Sequence, residues 1–410
     1  MSKFQHFLSY GSTDQEAARS LTGVYDGLLV PGTIAAFQAD GTKGFVLTLS
    51  ARSNEPYAID SRFPLFQNGN LPWKKSHLQL AQILGLDAYI EDGATGGLSP
   101  SNFDDALVHR VAQGWLSFNV DFENVGAKVF DKYAKRLPDD DIKIEDAQAP
   151  LWVMPPYLMA SSSDDPWRSV GDRIWNASVN LLSRSASDVR LRRVVAGGSA
   201  TVWNTLLTET PETNLAGWVS GLDEFNISAT SRGELIAYGK AIQSARERGQ
   251  SIFALYGGFF SVLLHRFGLA GSSHGVGYGE HRDYVELPSS GAPPARFYVP
   301  RLHRYIGVDI AGAIWEQAPE LVECFCPECD GGSPTSLSYH QLMRHSVRAR
   351  ADEINEWTRL STDDVCNRLQ EDARAFSATV PGLVLPRAVM KRAEGLHLHL
   401  GSWASVLKAI

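Results

Sequence analysis

The chain has 410 residues, 46 acidic and 38 basic, for a net charge of −8, with 44% hydrophobic and 20% charged residues. That balance excludes a disordered chain and argues against a broad phosphate-binding surface, though not against a local basic groove. No apolar run reaches the roughly 18 residues of a membrane span, and Met1-Ser2-Lys3-Phe4-Gln5-His6 lacks the apolar core of a secretory signal. Four cysteines, three of them within six positions, suit a metal site in a reducing cytoplasm better than a disulfide framework.

Short apolar or β-branched runs predict strands at 45–50, 57–62, 87–92, 151–157, 191–198, 217–225, 251–258 and 271–280, with a further candidate at 27–37. Helical patterns lie between many of them, at 73–84, 170–182 and 231–248. Residues 100–150 carry only helical and loop pattern, including the acidic run Pro138-Asp139-Asp140-Asp141, and read as an excursion on a βα loop. Eight strands alternating with helices predict an α/β fold, a TIM-type (β/α)8 barrel over residues 1–300, with a doubly wound open sheet as the alternative. The rhythm stops near residue 300, which leaves 301–410 as an appended zinc-binding module with C-terminal helices.

The strongest local signal is Cys324-Phe325-Cys326-Pro327-Glu328-Cys329. Three thiolates this close can reach one ion from a tight turn, and tetrahedral Zn2+ needs a fourth ligand. His345 is the candidate, at the start of a helix predicted over 342–357; His340 and Cys366 are alternatives. Three reduced cysteines near a core are the plain alternative. A Cys3His set fills all four positions, so the zinc is expected to be structural.

The stretch 295–356 resembles the tRNA-guanine transglycosylases, particularly their archaeosine branch. It carries a CxCPxC cluster, a loop, and Leu342-Met343-Arg344-His345 opening a helix. The resemblance implies a TIM-type barrel with a zinc module, and assigns Cys324, Cys326, Cys329 and His345 as ligands. Upstream, Val194-Val195-Ala196-Gly197-Gly198 looks like the family's Gln-Gly-Gly strand end with Ala196 in place of Gln. Val219-Ser220-Gly221-Leu222 looks like its Gly-Gly-Leu strand end. Ile59-Asp60-Ser61 with Phe66-Gln67 is faintly like its Asp-Ser-Gly-Gly-Phe-Gln. By resemblance, Gly197, Gly198, Gly221 and Leu222 would recognise a guanine-like base. The implied chemistry exchanges guanine in nucleic acid for a 7-deazaguanine base. One Asp attacks the ribose C1′ and a second acts as acid and base.

The match fails where the family's nucleophile should stand. Residues 268–275 read Gly-Leu-Ala-Gly-Ser-Ser-His-Gly, with no carboxylate before Glu280. Candidates for a moved carboxylate are Asp60, Asp92, Asp223 and Glu280, each at a predicted strand C-terminus, where barrel chemistry lies. Asp60 is the strongest, since an apolar strand delivers it; an ion pair with Arg62 or a helix cap is the plain alternative. Asp92 is expected to hold a base edge, or else to form a turn before Gly93. His274 and Glu280 form a candidate acid/base pair in a segment whose glycines admit close approach of a ligand. Arg282, Arg296, Arg301 and Arg304 lie among Phe297, Tyr298 and Tyr305, a pattern that suits gripping a backbone and stacking bases, or one solvated strand face.

Three functions compete. The first is a base-exchange transglycosylase on tRNA or DNA. The second is a non-catalytic nucleic-acid-binding or partner subunit on the same scaffold, in a heterodimer or homodimer. The third is an unrelated barrel glycosidase or lyase with a convergent zinc clip.

Overall fold

The computed structural model describes residues 3–53, 55–70, 72–137, 142–184, 189–277, 283–284 and 296–410. Seven strands build one curled parallel sheet: β1 (Gln5–Ser9), β2 (Gly27–Pro31), β3 (Tyr57–Asp60), β4 (Arg193–Gly197), β5 (Asn214–Val219), β6 (Ser251–Ala254) and β7 (Leu269–Gly275). Their order is β3-β2-β1-β7-β6-β5-β4, so the first and last strands of the chain's sheet are neighbours and β3 and β4 are the edges. Helices cover the outer face, so the strands are buried on both sides and read as continuous apolar runs; all five residues of β2 are buried.

Segment 151–160 lies against both edges. The Leu151 N–H donates to the Tyr57 carbonyl of β3 at 2.8 Å, and parallel bridges join Val153 to Leu191 and Ala160 to Gly197 beside β4. Its Trp152, Met154, Tyr157 and Met159 enter the same cluster as Phe7 of β1, Leu29 of β2, Ala58 of β3, Ala196 of β4, Trp218 of β5 and Phe253 of β6. These inward side chains are the concave core of the sheet. Two outer cores back it. One packs β1–β3 against helices that include Ala39–Ser53, Asp105–Val120 and Ala127–Ala134. The other packs β4–β7 against Ala200–Thr208 and Ala229–Glu247, and continues without a break into Cys326, Cys329 and the C-terminal helices Tyr339–Trp357, Thr362–Thr379 and Leu398–Ala409. An antiparallel hairpin, β8 (Arg296–Val299) and β9 (Arg304–Gly307), joins sheet to C-terminal region. No helix among the described residues is long and apolar enough to cross a membrane.

Several expected strands are corrected. Residues 45–50 lie inside the helix Ala39–Ser53, where all six are buried; a short run buried all round does not distinguish helix from strand. Residues 87–92 form an exposed turn rather than a strand. Of 27–37, only Gly27–Pro31 is extended, and Gly32–Phe37 is helical. β5 starts earlier than expected and stops at Val219, leaving 220–225 as loop. β1 was absent from the expected strands because Gln5, His6 and Ser9 break its apolar run; Ser9 is buried only because its hydroxyl pairs with Ser273 at 2.9 Å. The expected helices at 73–84, 170–182 and 231–248 are Lys75–Ile83, Pro166–Leu182 and Ala229–Glu247. The acidic run 139–141 lies outside the described residues.

Candidate functional site

The four buried residues of β3 bring Asp60 to the C-terminal end of the sheet, with no solvent exposure. A buried carboxylate is costly unless donors surround it. Three do so here. The Arg62 N–H donates to Oδ1 at 3.0 Å, the Tyr157 hydroxyl to Oδ1 at 2.8 Å, and the Tyr256 hydroxyl to Oδ2. Arg62 turns its amide back by taking a left-handed conformation, φ 54°. Its guanidinium sits 5.7 Å from the Tyr256 ring centre. Trp218 packs edge-on to both phenols, at 6.2 Å from Tyr157 and 5.5 Å from Tyr256. Burial, and then the charge of Asp60, push the Tyr157 phenol well above its ordinary range, so it stays a donor.

Around this centre the strand ends are tied together. The Gln67 carboxamide clamps the Met159 backbone, accepting from its N–H at 2.7 Å and donating to its carbonyl at 2.9 Å. The Ser220 hydroxyl donates to Asp283 at 3.3 Å, and the Asn68 amide donates to the Tyr284 carbonyl at 3.2 Å. Tyr284 packs on the concave core. Residues 283–284 therefore cross from the end of β5 to the turn after β3. Gly221, at φ +67°, lies beside them; a Cβ there would meet Asp283 at 3.4 Å.

The other expected catalytic residues fall elsewhere. Asp223 is exposed and caps its own turn, accepting from the Phe225 N–H at 3.0 Å. Its neighbour Glu224 is the buried carboxylate, accepting from the Phe260 N–H at 3.1 Å. His274 faces the convex side of β7, because its neighbour Ser273 faces inward; it pairs with the Ser272 hydroxyl at 2.8 Å and packs 5.1 Å from the His6 ring. Asp92 lies in an exposed loop, not at a strand end. Glu280 and Arg282 lie outside the described residues.

Of the expected base-binding residues, Gly197 and Gly198 do end β4, but their backbone is already used. Gly197 accommodates Trp203, which a Cβ would meet at 3.0 Å, and the Gly198 N–H donates to the Ala160 carbonyl at 2.9 Å. Leu222 packs into the outer core. Arg296 is exposed on β8. Arg301 donates to Asp372 at 2.6 Å and Arg304 lies over the Phe225 ring at 4.5 Å, so both hold the C-terminal region in place. Sequence reasoning missed Tyr157, Tyr256, Trp218 and Asp283. The first three end expected strands, and a polar-tipped aromatic at such an end is the signal that was there to use.

The metal-ligating atoms of Cys324, Cys326, Cys329 and His345 lie within 4.8 Å of one another. The cysteine loop closes tightly: the Cys329 and Asp330 N–H groups both donate to the Cys326 carbonyl at 3.0 Å, and Asp330 and Gly331 take positive φ. Ser338 caps the helix Tyr339–Trp357, which carries His345 into the cluster. His345 Nε2 lies 2.6 Å from the Tyr298 carbonyl, so that nitrogen is the donor and Nδ1 turns its lone pair to the thiols, 3.2 Å from Cys329 and 3.5 Å from Cys326. That is the tautomer a metal-bound histidine needs, fixed by an outer partner. Phe297 stacks on the ring at 4.4 Å. His340 is exposed near Glu16, and Cys366 bonds the Ala404 carbonyl, so neither belongs to the cluster. The donor set fits zinc or a similar soft-tolerant divalent ion.

No protein-family model and no curated protein matches the chain.

Proposed function

We propose that the protein is a nucleic-acid base-exchange transglycosylase that replaces guanine with a 7-deazaguanine base in tRNA or DNA. The observation that carries this reading is Asp60: a carboxylate at the C-terminal end of a parallel strand, held by three donors inside a curled α/β sheet. In this reading segment 151–160 is the eighth stave of a (β/α)8 barrel. The Cys3His cluster holds a structural Zn2+ that clamps the C-terminal region to the barrel.

The chemistry needs two carboxylates. Asp60 is kept ionised by Tyr157, Tyr256 and the Arg62 amide, and attacks C1′. A C1′–O bond forms as the C1′–N bond breaks, and the guanine leaves with a proton from Asp283. The incoming base gives its proton to Asp283 and its nitrogen displaces Asp60 from C1′. Held donors keep the attacking charge in one place, which suits an oxocarbenium-like transition state.

End-labelled tRNA or duplex DNA, incubated with the protein and denatured without quenching nucleophile, tests this. A labelled protein–polymer adduct is expected with one polymer, lost in Asp60→Ala and weakened in Asp283→Ala. A second reading, a non-catalytic nucleic-acid-binding or partner subunit, has one observation in its favour. Asp60, Tyr157, Trp218 and Tyr256 are each at most 8% exposed. Binding of tRNA or DNA at low salt without any adduct or exchange selects it.

A further inference from the structure

A cleft of about 270 Å³ opens on the convex side between segment 151–160, β4 and the helices Pro166–Leu182 and Ala200–Thr208. Its cause is in the sequence. Pro155 and Pro156 have no N–H to give, so segment and strand bond only at the two ends of the stretch. At one end the Arg192 N–H donates to the Val153 carbonyl at 2.9 Å; at the other the Ala160 N–H donates to the Ala196 carbonyl at 3.3 Å. Alternation along β4 turns the Val194 N–H and C=O the same way as those of residues 192 and 196. Among the described residues no backbone hydrogen bond spans the gap at Val194. A donor and an acceptor in one plane therefore face a space walled by Trp167 and Trp175.

The charges at this cleft are matched. Arg193 pairs with Asp172 and with Glu212 at 3.2 Å, and Arg168 pairs with Glu209. Adding an ion would cost desolvation without a new partner, whereas a neutral planar ring would not. Tyr157 lines the cleft and donates its hydroxyl to Asp60, so a single side chain separates the two.

We propose that this cleft binds a neutral, planar, nucleobase-sized lactam heterocycle, its edge on the Val194 backbone and its face on the tryptophans. Resting on the transglycosylase reading, the ligand is the free base being exchanged, held behind the catalytic centre rather than at the mouth.

Gly171 lines the cleft, and a Cβ there meets nothing within 4 Å, so Gly171→Phe fills the space without disturbing the helix. The test is calorimetric titration of the full chain with 7-deazaguanine. The wild type is expected to bind, and Gly171→Phe to weaken binding at least tenfold with an unchanged thermal melt. Asn176→Trp, at the exposed rim, serves if the first variant is unstable. A guanine-containing duplex or tRNA titrated in parallel separates the sources: polymer binding indifferent to Gly171→Phe assigns the site to the free base, and an equal loss assigns it to a base still attached. Absence of binding by the wild type overturns the proposal. So does binding that Gly171→Phe leaves intact and Asp60→Asn abolishes, which would put the base at the mouth and leave the transglycosylase reading standing. Cleft binding without exchange would sink that reading and leave the cleft.

Discussion

The sharpest consequence of the Asp60 geometry is that its two phenols are unequal. Oδ1 takes two donors, the Tyr157 hydroxyl at 2.8 Å and the Arg62 N–H at 3.0 Å. Oδ2 is held by the Tyr256 hydroxyl, which also meets the Arg62 side chain. Tyr157→Phe leaves Oδ1 one donor, and should cost about 1–2 kcal/mol, a single hydrogen bond to a charged acceptor. Tyr256→Phe strips Oδ2 and severs the link to the guanidinium, and should cost about 2–3 kcal/mol. Urea unfolding of the two variants measures the difference. A double-mutant cycle with Asp60→Asn should give coupling energies of about 1–2 kcal/mol for each tyrosine, larger for Tyr256. Equal costs for the two variants, or strict additivity with Asp60→Asn, would show that the phenols do not hold the carboxylate.

Three further outcomes are expected. Cys326→Ser should abolish stoichiometric zinc and destabilise the C-terminal region, since a closed site contributes on the order of 10 kcal/mol to local folding; metal analysis with a melt in chelator checks it, and a wild-type melt indifferent to chelator would contradict it. Gly258→Ala should be severely destabilising, by about 2–4 kcal/mol, because its Cβ would strike the Glu224 carboxylate that accepts from Phe260; a melt within error of the wild type would refute this. Burial, with Arg350 adding to it, pulls the His6 imidazole down to about 3. Unfolded histidine titrates near 6.5, so below that pH the unfolded chain takes a proton the native state refuses. Stability present above about 6.5 is lost as pH falls, by about 2 kcal/mol from this residue at pH 5. His6→Gln should flatten the acid limb of stability against pH, and parallel curves would exclude the effect.

The parts of the fold that could be read from sequence are those where one physical signal stood alone. The cysteine cluster fixed its own turn, and His345 followed at a helix start. Buried parallel strands such as 57–60 and 251–254 showed as apolar runs with polar ends. The same signal failed at 45–50, where a helix is buried on every side, and at β1, where buried polar residues depend on partners more than 200 positions away. Asp60 was legible because its strand is local. Tyr157, Tyr256 and Asp283 were not, because their role exists only once strands distant in sequence lie side by side. His274 shows the converse: reactive types in a glycine-rich run pointed to a site, yet alternation along β7 turns that side chain to the convex face.

Base exchange is the central claim, and the most direct measurement supplies labelled 7-deazaguanine with tRNA and with duplex DNA to the folded, metal-loaded wild type and to Asp60→Asn. Label should enter one of the two polymers with the wild type and neither with Asp60→Asn. Label in neither polymer with the wild type, or undiminished incorporation by Asp60→Asn, would contradict it.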